Sequence, residues 1–177
     1  NESSEIIRMF NSAFDQLGAS GPDLYPEALR TEIDAVNERI YHNVNNGVYR
    51  AGFATSQAAY DDAVYPLFET LDWLEGRLAT TRYLLGENLT EADWRLFPTL
   101  LRFDLAYYGN FKCNLRRIQD YPNLWGYTRE LYQVPGIAET IDLQRMKAGY
   151  YTIAAVNHTQ IVPAGPVIDF MAPHGRG

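Results

Sequence analysis

The chain has little of what metal, disulfide or nucleotide chemistry requires. Cys113 is the single cysteine in 177 residues. That excludes an internal disulfide and fits a reducing, cytoplasmic setting. The three histidines, His42, His158 and His174, have no mutual spacing that makes a site. There is no His-x-x-x-His and no Cys-x-x-Cys, so no metal is expected. GxGxxG and Gly-Lys-Ser/Thr loops are both missing, and with them the usual phosphate cradles. Lys and Arg total 15 against 22 Asp and Glu, a net charge of -7 with no basic run. This argues against a nucleic-acid partner. No stretch approaches the roughly 20 apolar residues of a membrane span. No period-2 run is long enough to suggest a sheet.

What is present is an ordinary globular composition, 46% hydrophobic and 21% charged, enough for one domain with a substantial core. The unusual count is 13 tyrosines. Most must pack, with the phenol reaching water or a backbone partner.

The pattern is helix after helix. Asn1-Glu2-Ser3 leads without an initiator Met into Ile6, Ile7, Met9, Phe10 and Phe14, a helix start that suggests a missing upstream domain. A loop signal follows at Gly18 to Pro22. Leu29, Ile33, Val36, Ile40 and Val44 share one helix face, and Asn46-Gly47 is read as the end of that helix. Tyr60, Val64, Leu67, Leu71, Leu74 and Leu78 form a second long seam, with Pro66 expected to kink it. The two are expected to fold back on each other through a short link. Thr90-Glu91-Ala92-Asp93 is a capping signature. It opens a helix carrying Leu96, Phe97, Leu100, Leu101, Phe103 and Tyr107, distorted early by Pro98. Tyr121-Pro122-Asn123 opens another, closed by Val134-Pro135-Gly136, and a short helix spans roughly 137–149. After Thr152 the periodicity stops, and the remainder reads as an extended tail.

Two tyrosines stand apart by position. Tyr49 follows Gly47, and Tyr150 follows Gly149, both at expected helix ends. There a side chain can reach a cleft, and a phenol can donate to a ligand oxygen or stabilise a developing charge. Cys113 sits beside Lys112, which could lower a thiol pKa. A lone cysteine between helices is nevertheless more often a small packed residue.

Several stretches together resemble one family. Glu2-Ser3 before Ile6-Ile7, the Thr90-x-x-Asp93 capping box and Tyr121-Pro122-Asn123-Leu124 look like the C-terminal domain of cytosolic glutathione transferases. Asn45-Asn46-Gly47-Val48-Tyr49-Arg50-Ala51-Gly52, Arg102-Phe103-Asp104, Phe111-Lys112-Cys113-Asn114, Tyr132-Gln133-Val134-Pro135-Gly136-Ile137 and Tyr150-Tyr151 narrow the match. They resemble the Xi class, the glutathionyl-hydroquinone reductases.

The resemblance implies an all-α, glutathione-transferase C-terminal-like bundle with an extended C-terminal tail. Residues 1–17 would be the last helix of a thioredoxin-like glutathione-binding domain, 18–151 the helical domain and 152–177 the tail. It implies a cytoplasmic homodimer using glutathione as co-substrate and no metal. A cysteine of a Cys-Pro-Trp motif would attack the sulfur of a glutathionyl-hydroquinone, and a second glutathione would resolve the mixed disulfide. Tyr49 and Tyr150 would bond the hydroquinone oxygens, and Glu2 and Ser3 would hold glutathione. This chain has no Cys-Pro motif, so alone it is expected to be inactive. The competing readings are an Omega-like thiol transferase and a non-catalytic helical association module, which would not need Tyr49 and Tyr150 in one pocket.

Overall fold

The computed structural model describes residues 3–18 and 21–176. Among them all the regular structure is helical, with one isolated bridge, Tyr83 to Gly86, and no strand. The all-α class read from the sequence is what the structure shows. Seven α-helices follow in order: α1 (Ser3–Ser12), α2 (Arg30–Ile40), α3 (Gly47–Gly52), α4 (Gln57–Leu78), α5 (Glu91–Arg102), α6 (Pro122–Tyr132) and α7 (Leu143–Tyr151). None is long and apolar enough to cross a membrane.

The helix starts are chemically marked. Ser56 caps α4, its hydroxyl accepting from Ala59 N at 3.2 Å. Asp142 caps α7, accepting from Arg145 N at 2.9 Å. Pro122 occupies the first turn of α6, where its missing N–H costs nothing. The free N–H groups of Asn123 and Leu124 donate to the Glu75 carboxylate on α4, at 2.9 and 2.7 Å. An anion at a helix N-terminus is favoured by the dipole and by the unpaired donors.

The strongest cap is Asp93 at the start of α5. Its side chain is fully buried. One oxygen accepts from Thr90 N (2.8 Å) and Thr90 Oγ1 (3.0 Å). The other accepts from Leu84 N (2.9 Å) and Tyr127 Oη (2.7 Å). One carboxylate therefore joins α5, the preceding loop and α6. Burial pushes its pKa up, and the four donors pull against that.

The first long helix does not end where Asn46-Gly47 suggested. After α2 the chain makes a π-helical stretch, Tyr41–Asn45, closed by an Asn46 N to Tyr41 O bond of 3.0 Å, and then continues as α3. The true break is the turn between Phe53 and Ser56. It is α3 and the π stretch that lie along α4, while α2 packs on α5. A Cβ on Gly47 would meet Leu67 Cβ at an ordinary 3.7 Å, so Gly47 is a packing residue rather than a terminator. Both α4 and α5 run on as single helices through Pro66 and Pro98. A second π stretch, Phe103–Tyr107, extends α5, with Tyr108 N donating to Phe103 O at 2.8 Å.

Helix α1 has no buried residue. It is held by Arg8, which donates to the buried Glu91 carboxylate at 2.8 to 3.2 Å and to Asp34 at 2.5 Å, and whose guanidinium lies 3.8 Å from the Tyr25 ring centre. Residues 152–176 form turns and irregular chain. Their far end docks on α6. Phe170 is buried against Tyr132 and Trp125, with ring centres 5.1 and 5.5 Å away. Arg176 donates to Glu130 at 3.1 Å. A Cβ on Gly126 would fall 2.8 Å from His174 O, so the glycine is what lets this segment sit close.

Asp93→Ala would leave Leu84 N, Thr90 N and Tyr127 Oη without their buried acceptor. Urea unfolding should show a loss of about 3–5 kcal/mol. A shift of only a few tenths would mean that Asp93 is not the tie described here.

Candidate active site

Three phenols meet at one point. Tyr49 comes from α3, Tyr107 from the end of the second π stretch and Tyr150 from the last turn of α7. Tyr49 Oη lies 2.8 Å from Tyr150 Oη and 3.2 Å from Tyr107 Oη, and Tyr107 Oη lies 2.8 Å from Tyr150 Oη. The sequence singled out Tyr49 and Tyr150 and treated Tyr107 as core. The structure brings all three together. Tyr49 is the third residue of the short helix α3, not the end of a long one.

The rings are held from behind by Phe111, itself fully buried. Its ring centre is 5.6 Å from Tyr49, 5.3 Å from Tyr107 and 5.9 Å from Tyr150. Such edge-to-face and tilted contacts suit aromatic quadrupoles. Gly52 makes room for Phe111, since a Cβ there would approach the ring within 2.5 Å. Asn110 Nδ2 donates to the Tyr150 carbonyl at 2.9 Å and fixes the end of α7. Asn45, in the first π stretch, donates to Arg95 O and Thr99 Oγ1 on α5, at 2.8 and 3.0 Å. π stretches recur at functional sites because they shift the register of the side chains that follow. Here one precedes Tyr49 and the other ends on Tyr107.

Each phenol has one proton to give. Three oxygens within bonding distance can form a closed ring in which each donates once and accepts once. A ligand oxygen gains a donor only when one edge opens. The 3.2 Å edge is long for an O–H···O bond, whose usual length is about 2.7–2.8 Å. It belongs to Tyr49, which is 38% exposed, and Tyr107, which is buried. Tyr49 is therefore the phenol free to turn outward. Burial pushes the Tyr107 pKa far above the ordinary phenol range, and the bonds to Tyr150 and Tyr49 add to this. Tyr150 is also raised by burial, while its bond to Tyr107 pulls it down. For Tyr107 and Tyr150 burial, the largest cause in each case, favours the neutral hydroxyl over the phenolate.

Two cavities adjoin the phenols. One, of about 420 Å³, is lined by Ser3, Ile7, Tyr41, Asn45 and the three tyrosines, among others. The other, of about 810 Å³, has walls from α5, α7 and the segment between α6 and α7. Tyr49, Trp94, Pro98, Arg102 and Tyr150 line both. The hydroxyls thus stand where the two lobes join, and Ser3 opens on the smaller one. Glu2 lies outside the described residues. Among the described residues no group of three or more His, Cys, Asp or Glu could hold a metal ion. Cys113 is fully buried, and burial pushes its thiol up to about 12 despite Lys112 beside it. The packed-residue reading of Cys113 is the one the structure supports.

Residues 57–130 match the family profile described as the Glutathione S-transferase, C-terminal domain. The glutathione-bound structure of YqjG, a glutathione transferase homolog from Escherichia coli K-12, superposes with a TM-score of 0.97 at 55% identity, covering 99% of this chain and 57% of that one. A Xi class GST from Natrialba magadii superposes with a TM-score of 0.95 at 49% identity, over 99% of this chain and 54% of that one. This chain has the helical domain of a Xi-class glutathione transferase. Glutathionyl-hydroquinone reductase PcpF of Sphingobium chlorophenolicum is 59% identical over 167 residues, 94% of this chain and 53% of the relative. The Xi-class domain spans about half the length of the curated relatives it matches.

Two measurements check this site. Removing the Tyr107 hydroxyl in Tyr107→Phe takes away the bond that lowers the Tyr150 pKa, so Tyr150 should titrate higher still in tyrosine-labelled ¹³C NMR; a lower value would contradict the arrangement. Cys113 should resist alkylation at pH 8 in the native state and react once urea unfolds the chain, and prompt native labelling would show an accessible thiolate instead.

Proposed function

We propose that this chain is the helical half of a glutathione-dependent enzyme that reduces glutathionyl-hydroquinones to hydroquinones. The observation that carries the reading is the convergence of three phenol hydroxyls where a lobe with a largely apolar wall meets a lobe lined by Ser3. The two relatives at 55–59% identity are both named glutathionyl-hydroquinone reductases, which favours this substrate over that of an Omega-like thiol transferase. A non-catalytic module has no need of the shared phenol cluster.

In this reading a cysteine thiolate from an upstream thioredoxin-like half attacks the glutathione sulfur. The S–S bond of a mixed disulfide forms and the carbon–sulfur bond breaks. The electron pair stays on the ring carbon, which takes a proton and leaves as hydroquinone. A second glutathione thiolate then attacks the mixed disulfide, giving oxidised glutathione and freeing the cysteine. Tyr49 and Tyr150 donate to the ring oxygens and stabilise the charge that develops as carbon leaves sulfur. Tyr107 holds both in place and relays the ring of hydrogen bonds. Glu2 and Ser3 receive the glutathione ends.

The proposal carries the domain division 1–17, 18–151 and 152–177, the last being the extended tail. Helix α1, with Phe10 62% exposed and Ile6 and Met9 also exposed, presents an apolar face suited to the thioredoxin-like half. With Cys113 inaccessible, the chain by itself would bind the ring without turning it over. The cytoplasmic homodimer implied by the family resemblance belongs to the same proposal.

In the full-length protein, Tyr49→Phe and Tyr150→Phe should each lower kcat/KM for glutathionyl-hydroquinone by about 10²-fold with little change in unfolding midpoint. Unchanged rates in both variants would remove the phenols from the reaction.

A further inference from the structure

Ser3 and Ile7, one turn apart on α1, line the smaller lobe together with Tyr49, Tyr107 and Tyr150. Helix α1 buries none of its own residues, so no apolar seat on the helical domain fixes where Ser3 stands. Its ties are polar. Arg8 directly follows Ile7, and its guanidinium grips Glu91 as a fork. Nη2 donates to one carboxylate oxygen at 2.8 Å, and Nε reaches both oxygens, at 3.2 and 3.1 Å. A planar fork on a carboxylate fixes direction as well as distance. Towards the other end of α1, the Asn11 side chain accepts from Leu24 N at 2.7 Å.

Glu91 is an immobile partner. It is the first residue of α5, and its side chain is only 1% exposed. Asn37 Nδ2 on α2 donates to its carboxylate at 2.9 Å. Arg95, one turn along α5, lies 3.7 Å from the same oxygen and itself lines the smaller lobe. The Glu91 backbone N–H donates to Leu24 O at 2.8 Å. A buried carboxylate engaged from three elements cannot follow a moving cation, and leaving it short of a partner is costly. Helix α1 must therefore come to Glu91. Ser3 precedes Arg8 by five residues, about 7.5 Å along a helix axis, so α1 carries the constraint to the wall of the lobe.

Resting on the glutathione side of the reading above, we infer that Arg8 is a positioning residue for glutathione, setting Ser3 at a fixed place beside the phenols through its ion pair with the buried Glu91. Arg8 touches neither ligand. It acts through the helix that carries Ser3, and Glu91 is the anchor on the helical domain.

The test measures two dissociation constants on the full-length protein by titration calorimetry, one for glutathione and one for free hydroquinone. Arg8→Met should raise the Kd of glutathione about tenfold, the size of one charge-assisted hydrogen bond, and change that of hydroquinone by less than about twofold. Arg8→Lys keeps a cation beside Glu91 and protects the fold, but it lacks the fork and should raise the glutathione Kd about threefold. In a Ser3→Ala background the hydroxyl is already gone, and either Arg8 substitution should add less than about twofold. An unchanged glutathione Kd in both variants overturns the inference. So does a parallel loss of both ligands, which is what a loosened fold would give. An Arg8 effect that persists in full beside Ser3→Ala also overturns it, because Arg8 then acts by another route. Glutathione binding without turnover of a glutathionyl-hydroquinone removes the reductase reading and leaves this inference standing. Absence of glutathione binding removes both.

Discussion

The structure depends on one buried carboxylate. Asp93 has no water to solvate it, so its four donors must come from the protein. A buried charge tolerates no missing partner. That requirement fixes the loop at Leu84, the start of α5 at Thr90 and the position of α6 at Tyr127 simultaneously. About one to two and a half turns further along α5 lie Phe97, Pro98, Leu101 and Arg102, which face the cavities. An error in placing the start of α5 would travel along a rigid helix into the wall of the site. The carboxylate is remote from the phenols, yet the shape of their surroundings follows from it.

The phenols have a second support of a different kind. Phe111 touches all three rings and makes no polar contact with any of them. Its seat exists because Gly52 has no side chain. The precision of three hydroxyl positions therefore rests on a packing relation between a ring and a bare backbone. Cores packed to crystal-like density transmit such displacements instead of absorbing them. The two π stretches complete the arrangement. Each adds a residue to a helical turn, and this lets side chains from α3 and from the extension of α5 point at a tyrosine on α7.

Much of this was legible in the sequence, and the failures have physical causes. The apolar faces of α2, α4 and α6 follow from spacing alone. Thr90 and Asp93 announced the start of α5, and Pro122 that of α6, because unpaired helix N–H groups select those residues. Tyr49 and Tyr150 were found by their glycine neighbours, although Tyr49 lies inside a helix. Gly47 was misread as a stop. A buried glycine with ordinary helical geometry beside Leu67 gives the same sequence signal as a terminator. Tyr107 was missed because its spacing from Leu96, Leu100 and Phe103 is that of a core residue, and it is one. Its hydroxyl reaches the site only through the π register, which no residue pattern announces. The larger lobe was likewise invisible. It is bounded by segments far apart in the chain, and apolar residues look alike whether they face a neighbour or a void.

The ring of three phenols has a consequence for how a ligand enters the site. A closed cycle satisfies its own donors, so it offers passing water no free donor, only the spare lone pairs of its oxygens. A newcomer with an oxygen of its own then joins by exchange, taking the place of one member while the number of bonds is preserved. The pocket conceals its polarity until something arrives that can use it.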